Sequence, residues 1–209
     1  MLPVKRNPVT TVRRAIQRTF TVNASTGIDS YPYWDLQLVF NIGSINWRIG
    51  GTSIYTDSLP NITELTNLFD QWRLDRVVIR VDVPNGFQNS LPTQYIIPQV
   101  MYAPDYDDSG SAVRADLLQY PQLKVHNFQR DGYTPLMFSF HPKPLRDIAG
   151  SGVSTSYGPM TYAPWIRTVD TTTPHYGIKM YIDYLGTSAD IRAPMEFTVF
   201  YDISLTNPK

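Results

Sequence analysis

From Met195 to Leu205 every second residue is apolar: Met195, Phe197, Val199, Tyr201, Ile203 and Leu205 alternate with Glu196, Thr198, Asp202 and Ser204. Successive side chains of a strand point to opposite faces, so this run is a strand with one buried face. A helix would scatter the same residues all around its axis. The pattern recurs. Trp34, Leu36, Leu38, Phe40 and Ile42 share a face between Tyr33 and Ile42. Val77, Ile79, Val81 and Val83 do the same between Leu74 and Val83, against Arg76, Arg80 and Asp82. Weaker alternation predicts strands at Arg18–Asn23, Gln94–Ala103, Gln122–Gln129, Tyr133–His141 and Tyr176–Tyr184. Pro98 lacks a ladder donor, which places an edge or a bulge in the Gln94–Ala103 strand.

The acids reinforce the reading: 16 of 18 are Asp and only Glu64 and Glu196 are Glu. Helical proteins favour straight-chain Glu and Lys, whereas Asp supplies turns. One helix is expected, capped by Asn61 with Glu64 completing a capping box, and with Ile62, Leu65, Leu68, Phe69 and Trp72 as its apolar stripe. Long loops are expected at roughly 84–93, 104–121 and 142–175. Eight strands, no βαβ alternation and long end loops predict an all-β, eight-stranded antiparallel jelly-roll sandwich with one short helix. The chain's 209 residues suit one such domain, taken as 18–209, behind a basic N-terminal arm at 1–17.

The formal charge of +0 hides a division. Residues 1–28 hold Lys5, Arg6, Arg13, Arg14 and Arg18 and no acid, which makes that segment +5. The remaining thirteen bases face all eighteen acids, so the rest is −5. A basic segment on an acidic body points to a polyanion, most simply nucleic acid. Trp47 beside Arg48 is a further candidate, as an aromatic face for unpaired bases next to a phosphate-binding cation.

Catalytic chemistry finds little footing. With no cysteine there is no thiolate metal site and no cysteine nucleophile. His126, His141 and His175 lack metal-motif spacing, and no G-x-S-x-G elbow or phosphate-cradling glycine loop occurs. Asp105, Asp107, Gly110 and Asp116 take places 1, 3, 6 and 12 of an EF-hand-like loop. A strand rather than a helix precedes them and the twelfth residue is Asp, so a solvated loop is expected there. No cofactor, metal or catalytic residue is therefore assigned. No apolar run approaches the roughly 18 residues of a membrane span, and no signal peptide opens the chain.

The order of features resembles the capsid proteins of small circular single-stranded DNA viruses, the circovirus-like group, across roughly residues 13–208. A basic segment leads into Arg18-Thr19-Phe20-Thr21-Val22. A short helix then ends in Asp70-Gln71-Trp72 and runs directly into Arg73-Leu74-Asp75-Arg76-Val77-Val78-Ile79-Arg80-Val81-Asp82-Val83-Pro84. The Asp105–Asp108 loop is followed by Leu117-Leu118-Gln119-Tyr120-Pro121 and Phe138-Ser139-Phe140-His141-Pro142-Lys143-Pro144. His175-Tyr176-Gly177 opens a strand, and the chain closes on a long alternating strand and Asn207-Pro208. The family usually carries a longer, Arg-dense arm; here the basic segment has five bases, Arg18 included.

The resemblance implies a non-enzymatic coat protein of the virion that self-assembles, in about sixty copies, into a T=1 shell around single-stranded circular DNA. It also implies surface loops that meet a host receptor or glycan, and assembly in the host nucleus. Lys5, Arg6, Arg13, Arg14, Arg18, Arg48 and Trp47 are the expected nucleic-acid contacts. Acidic loops such as Asp105–Asp108 are expected to meet arginines of neighbouring copies. The other reading of a jelly roll is a carbohydrate-binding module that presents Tyr157, Tyr162 and Trp165 to sugars.

Overall fold

The computed structural model describes residues 8–20, 33–84, 95–96, 98–106, 113–128, 134–147, 157–159, 162–183, 191–192 and 194–209. In chain order the elements are β1 (Val9–Phe20), β2 (Tyr33–Phe40), β3 (Ser44–Ile49), β4 (Thr52–Ser58), α1 (Ile62–Leu68), β5 (Phe69–Asp82), β6 (Tyr95–Ile96), β7 (Gln99–Pro104) and α2 (Arg114–Leu117). They continue as β8 (Lys124–Asn127), β9 (Leu136–Phe140), β10 (Lys143–Asp147), β11 (Tyr157–Pro159), β12 (Ile166–Arg167), β13 (His175–Tyr176), β14 (Ile178–Asp183), β15 (Ile191–Arg192) and β16 (Met195–Pro208).

One sheet has the order β1-β16-β5, with β9 and β12 pairing different stretches of the outer edge of β5. The other runs β11-β10-β13-β2-β14-β7-β8, with the hairpin β3–β4 on the free edge of β2. Each of the eight alternating segments overlaps a core strand: β1, β16, β5 and β9 in one sheet, β2, β14, β7 and β8 in the other, the first only at Arg18–Phe20, since residues 21–23 lie outside the described residues. Numbered by order along the chain, these sheets read 1-8-3-6 and 2-7-4-5. That interleaving is the jelly roll, and every pair among them is antiparallel. The inward faces meet as expected: Leu36, Leu38, Phe40, Val77, Ile79, Val81, Phe197, Val199 and Tyr201 are all buried in one continuous core.

The hairpin β3–β4 lies where the alternation predicts no strand. Gly50 and Gly51 form its two-residue turn with φ of 58° and 78°. Two consecutive positive φ values make the turn that matches strand twist, and glycine adopts them without Cβ strain. The Gly-Gly pair was the available signal.

Three local expectations are corrected. Helix α1 stops at Leu68, and Phe69 and Trp72 belong to β5. Pairing with β16 takes in these residues, at Phe69↔Pro208 and Trp72↔Leu205, and Trp72 becomes fully buried. Asn61 adopts the left-handed region (φ 58°, ψ 24°) and makes no side-chain cap bond, so no capping box forms. Pro98 sits at no edge: it precedes β7, which is internal, and it marks where pairing with β14 begins at Gln99↔Asp183. A fourth difference concerns the arm. β1 begins at Val9, so residues 9–17, expected as arm, pair in register with β16.

His175 is buried where β13 meets β2, its ring 5.3 Å from that of Trp72 and its Nδ1 3.0 Å from the Thr173 carbonyl. Burial pushes its pKa down to about 4 from 6.5, and the carbonyl only partly opposes this. The unfolded chain therefore binds the extra proton first. Stability is unaffected above about pH 6.5 and falls as pH drops toward 4, by about 3 kcal/mol in all. Urea titrations across that window should show the loss in the parent protein and a flatter profile in His175→Gln; equal profiles would refute it.

Candidate nucleic-acid interface

Alternation puts the odd residues of β1 on the outer face of its sheet, and the register carries each across to β16 and β5. The rows read Arg13–Asp202–Arg76, Ala15–Phe200–Val78–Ser139, Gln17–Thr198–Arg80–Met137 and Thr19–Glu196–Asp82. Directly opposed side chains lie close enough for opposite charges to pair. Arg13 Nε is 2.6 Å from Asp202 Oδ1 and its Nη2 is 3.0 Å from Oδ2; Arg76 Nε is 2.8 Å from the same Oδ2. One carboxylate thus spans two guanidiniums, leaving the row at +1. The Arg13 hydrogen bond, and after it that of Arg76, holds the Asp202 carboxyl below the ordinary carboxylate range against the opposing effect of burial.

Arg80 pairs with Asp82 at 2.7 Å, and Arg73 with Asp75 at 2.6 Å. Asp75 also accepts from the Ser204 hydroxyl. The ladder shifts register beside Asp202 and Ile203, so Asp75 is the unmatched residue of β5. Among the described residues this face carries five arginines (Arg13, Arg73, Arg76, Arg80 and, opposite Gln71, Arg167) and four acids (Asp75, Asp82, Glu196, Asp202), so it is patterned rather than uniformly basic. Arg13, Arg76 and Arg80 still expose 56%, 44% and 45% of their side chains. Each guanidinium has five N–H donors, so those not spent on the carboxylate remain for phosphate.

The structure separates the expected contact residues. Lys5 and Arg6 lie outside the described residues. Arg13 is on the face just described. Arg14 falls on the other parity: Nη1 donates to the Arg13 carbonyl at 3.0 Å, and Nε is buried without a partner. Arg18 also turns inward. It forks onto Asp57, with Nε 2.5 Å from Oδ2, and lies over the Tyr55 ring at 4.2 Å. Trp47 donates to the same carboxylate at 2.7 Å. The Arg18 hydrogen bond is the main cause holding Asp57 below the ordinary carboxylate range. Arg48 donates to the Gly51 carbonyl and fastens the hairpin turn.

Trp47 requires a plain correction, because it is fully buried between Phe20 and Phe197 and has no face for a base. Its strand position facing the core follows from the pairing Leu38↔Trp47. Arg76 and Arg80 were not among the expected contacts. Their place opposite the apolar face of β5 was the signal that could have found them.

Asp105 is also corrected. It is buried rather than solvated: Lys179 Nζ lies 2.6 Å away, and the Tyr120 hydroxyl donates to it at 2.8 Å. The segment that follows brings Leu117 down onto Met101, Ala103 and Tyr181, covering the outer face of the second sheet. Asp107 and Asp108 lie outside the described residues. Among the described residues no group of three or more His, Asp or Glu is placed to hold a metal. Of the aromatic residues considered for sugars, Tyr162 is exposed, but the ring of Trp165 is taken by Arg73 at 4.7 Å. The side chain of Tyr157 lies outside the described set.

The family model for circovirus capsid protein matches residues 3–209. The crystal structure of a 60-mer BFDV capsid protein is similar at 15% identity and TM-score 0.60, covering 96% of this chain and 95% of that one. The decameric form of the BFDV capsid protein is similar at 15% identity and TM-score 0.52, covering 96% and 100%. Among curated proteins none matches the sequence significantly.

Proposed function

Because the chain belongs to the circovirus capsid protein family, and is thus a viral capsid protein and virion component with a structural role, we propose that 60 copies form a closed T=1 shell around single-stranded circular DNA. The observation that supports this most is the fold match over nearly the whole of a capsid protein that forms a 60-mer. The outer face of the β1-β16-β5 sheet is read as the lumenal surface, because it carries the exposed Arg13–Asp202–Arg76 row. It also begins where residues 1–7, with Lys5 and Arg6, precede β1. The loops at the ends of the sandwich are read as the surface that meets neighbours, receptor or glycan. Assembly in the host nucleus belongs to the same reading. No helix among the described residues is long and apolar enough to cross a membrane.

The test images the purified protein and follows its 260/280 nm absorbance before and after nuclease. Closed particles with nuclease-protected nucleic acid are the expected result. Monomers alone, across salt and buffer conditions, would overturn the shell; empty particles throughout would overturn the cargo. A second expectation concerns Arg76→Gln. Each phosphate contact on a single strand contributes about 0.7 to the slope of log affinity against log salt. The variant should bind oligonucleotide less tightly and lower that slope by about this amount. An unchanged slope would remove Arg76 from the interface.

A further inference from the structure

The two flanks of the sandwich differ. At the β1 flank the hairpin β3–β4 closes the gap, with Arg18, Asp57, Trp47 and Phe20 joined across it. At the opposite flank β8 and β9 are the outer strands of their sheets and do not pair with one another. A cleft of about 430 Å³ opens between them. Its wall is aromatic: Tyr102 stacks on Phe138 at 4.5 Å and 20°, and Phe138 lies 6.4 Å from Phe140 at 23°. Phe138 is thus stacked with a ring on either hand. Gly177 makes the arrangement possible, since a Cβ there would stand 2.4 Å from the Phe140 ring. Exposed Gln122 and Lys124 also line the cleft.

We propose that this cleft receives one unpaired nucleobase of the encapsidated strand, with Lys124 meeting the adjoining phosphate. The proposal rests on the genome-binding reading above and gives it a specific contact. Three observations carry it. Stacked aromatic rings offer a planar ligand a stack to extend, and such stacking tolerates any base. The volume lies at the low end of the ~300–1,000 Å³ of small-ligand sites, which suits one base and excludes a duplex. The cleft also adjoins the charged face: the row Gln17–Thr198–Arg80 ends at Met137 on β9, which is 61% exposed and precedes the cleft residues Phe138 and Ser139 in the chain. A strand crossing the Arg76 and Arg80 rows thus reaches the cleft where the sheet ends.

The test uses the full-length protein and a short thymidine-rich oligodeoxynucleotide carrying a single 2-aminopurine, whose fluorescence is quenched by stacking. Anisotropy of a labelled copy reports total binding. Quenching is expected with the parent protein. Lys124→Glu and Phe138→Leu should lose it and bind about tenfold more weakly, the scale of one stacked base. Lys124 is exposed, so its variant tests the cleft even if Phe138→Leu fails to fold. Binding without quenching, or quenching unchanged in both variants, overturns the cleft while leaving genome binding intact. No oligonucleotide binding at all overturns both. Variants that abolish particles yet leave quenching and affinity unchanged would assign the cleft to contacts between copies, also against the proposal.

Discussion

Asp105→Ala is expected to lower the unfolding free energy by about 3–5 kcal/mol, the range for removing one partner of a buried ion pair. Lys179 Nζ lies 2.6 Å from the Asp105 carboxylate, and both side chains are almost wholly inaccessible, at 7% and 2%. Screening by solvent is slight there, so the loss of the pair is not softened as it would be at the surface. Tyr120 loses one hydrogen bond in the same change, and the covering segment around Leu117 loses an anchor. A domain of this size should melt roughly 10 °C lower, or fail to accumulate folded. The paired replacement Asp105→Leu with Lys179→Met removes both charges and should recover most of the loss, since well-packed apolar pairs often match a buried ion pair. Thermal melts of the single and double variants decide the matter. A single variant as stable as the parent would mean that Lys179 reaches water. A double variant no better than the single would mean that packing, not charge, dominates.

Trp47→Ala is expected to cost about 3–5 kcal/mol, the range for emptying a large aromatic site in a core. The indole packs edge-on against Phe20 and Phe197 at 5.2 and 5.6 Å, and its Nε1 holds the Asp57 carboxylate that Arg18 shares. The loss should therefore appear as a loosened β1 flank. The milder Trp47→Leu keeps part of the volume and should fold. Its affinity for single-stranded oligonucleotide should stay within about twofold of the parent, whereas a base stacked on Trp47 would make the loss nearer tenfold. Denaturant titration read against oligonucleotide anisotropy separates the roles. Full stability with weakened binding would return Trp47 to the nucleic-acid interface.

Trp47 and Arg13 show where sequence reasoning about the interface works and where it stops. The basic segment was visible as a run of charge, and Arg13 does lie on an exposed face. Its partner was not visible: Asp202 is far away in sequence, and only the antiparallel register of β1 on β16 sets them opposite one another. The same holds for Arg18 and Asp57. Charge counted along the chain says nothing about which cations have already been neutralised by the fold. Arg18, expected for nucleic acid, works within the sandwich, while Arg76 and Arg80 are exposed on β5, two strands along in the same sheet.

The helix ending at Leu68 and the Asp105 loop fail for a related reason. Local pattern assigned Phe69 and Trp72 to a helical stripe, and β-pairing with β16 overrode it. Local polarity assigned Asp105 to solvent, and Lys179 from another strand drew it inside. Both are tertiary effects on residues whose immediate neighbours pointed elsewhere.

What the sequence alone determined is the class of fold and the positions of seven of the eight core strands; β1 begins at Val9, nine residues before the alternation predicts it. Period-two alternation depends only on neighbours in the chain, and a residue slipped by one would turn its whole apolar set to water. Tertiary structure alone decided how the charges are spent. The +5 segment and the −5 remainder do not stay apart: β1 pairs into the sheet, and Arg13 and Arg18 are held by Asp202 and Asp57. Coulomb energy depends on distance in space, and in a jelly roll residues close in space come from opposite ends of the chain.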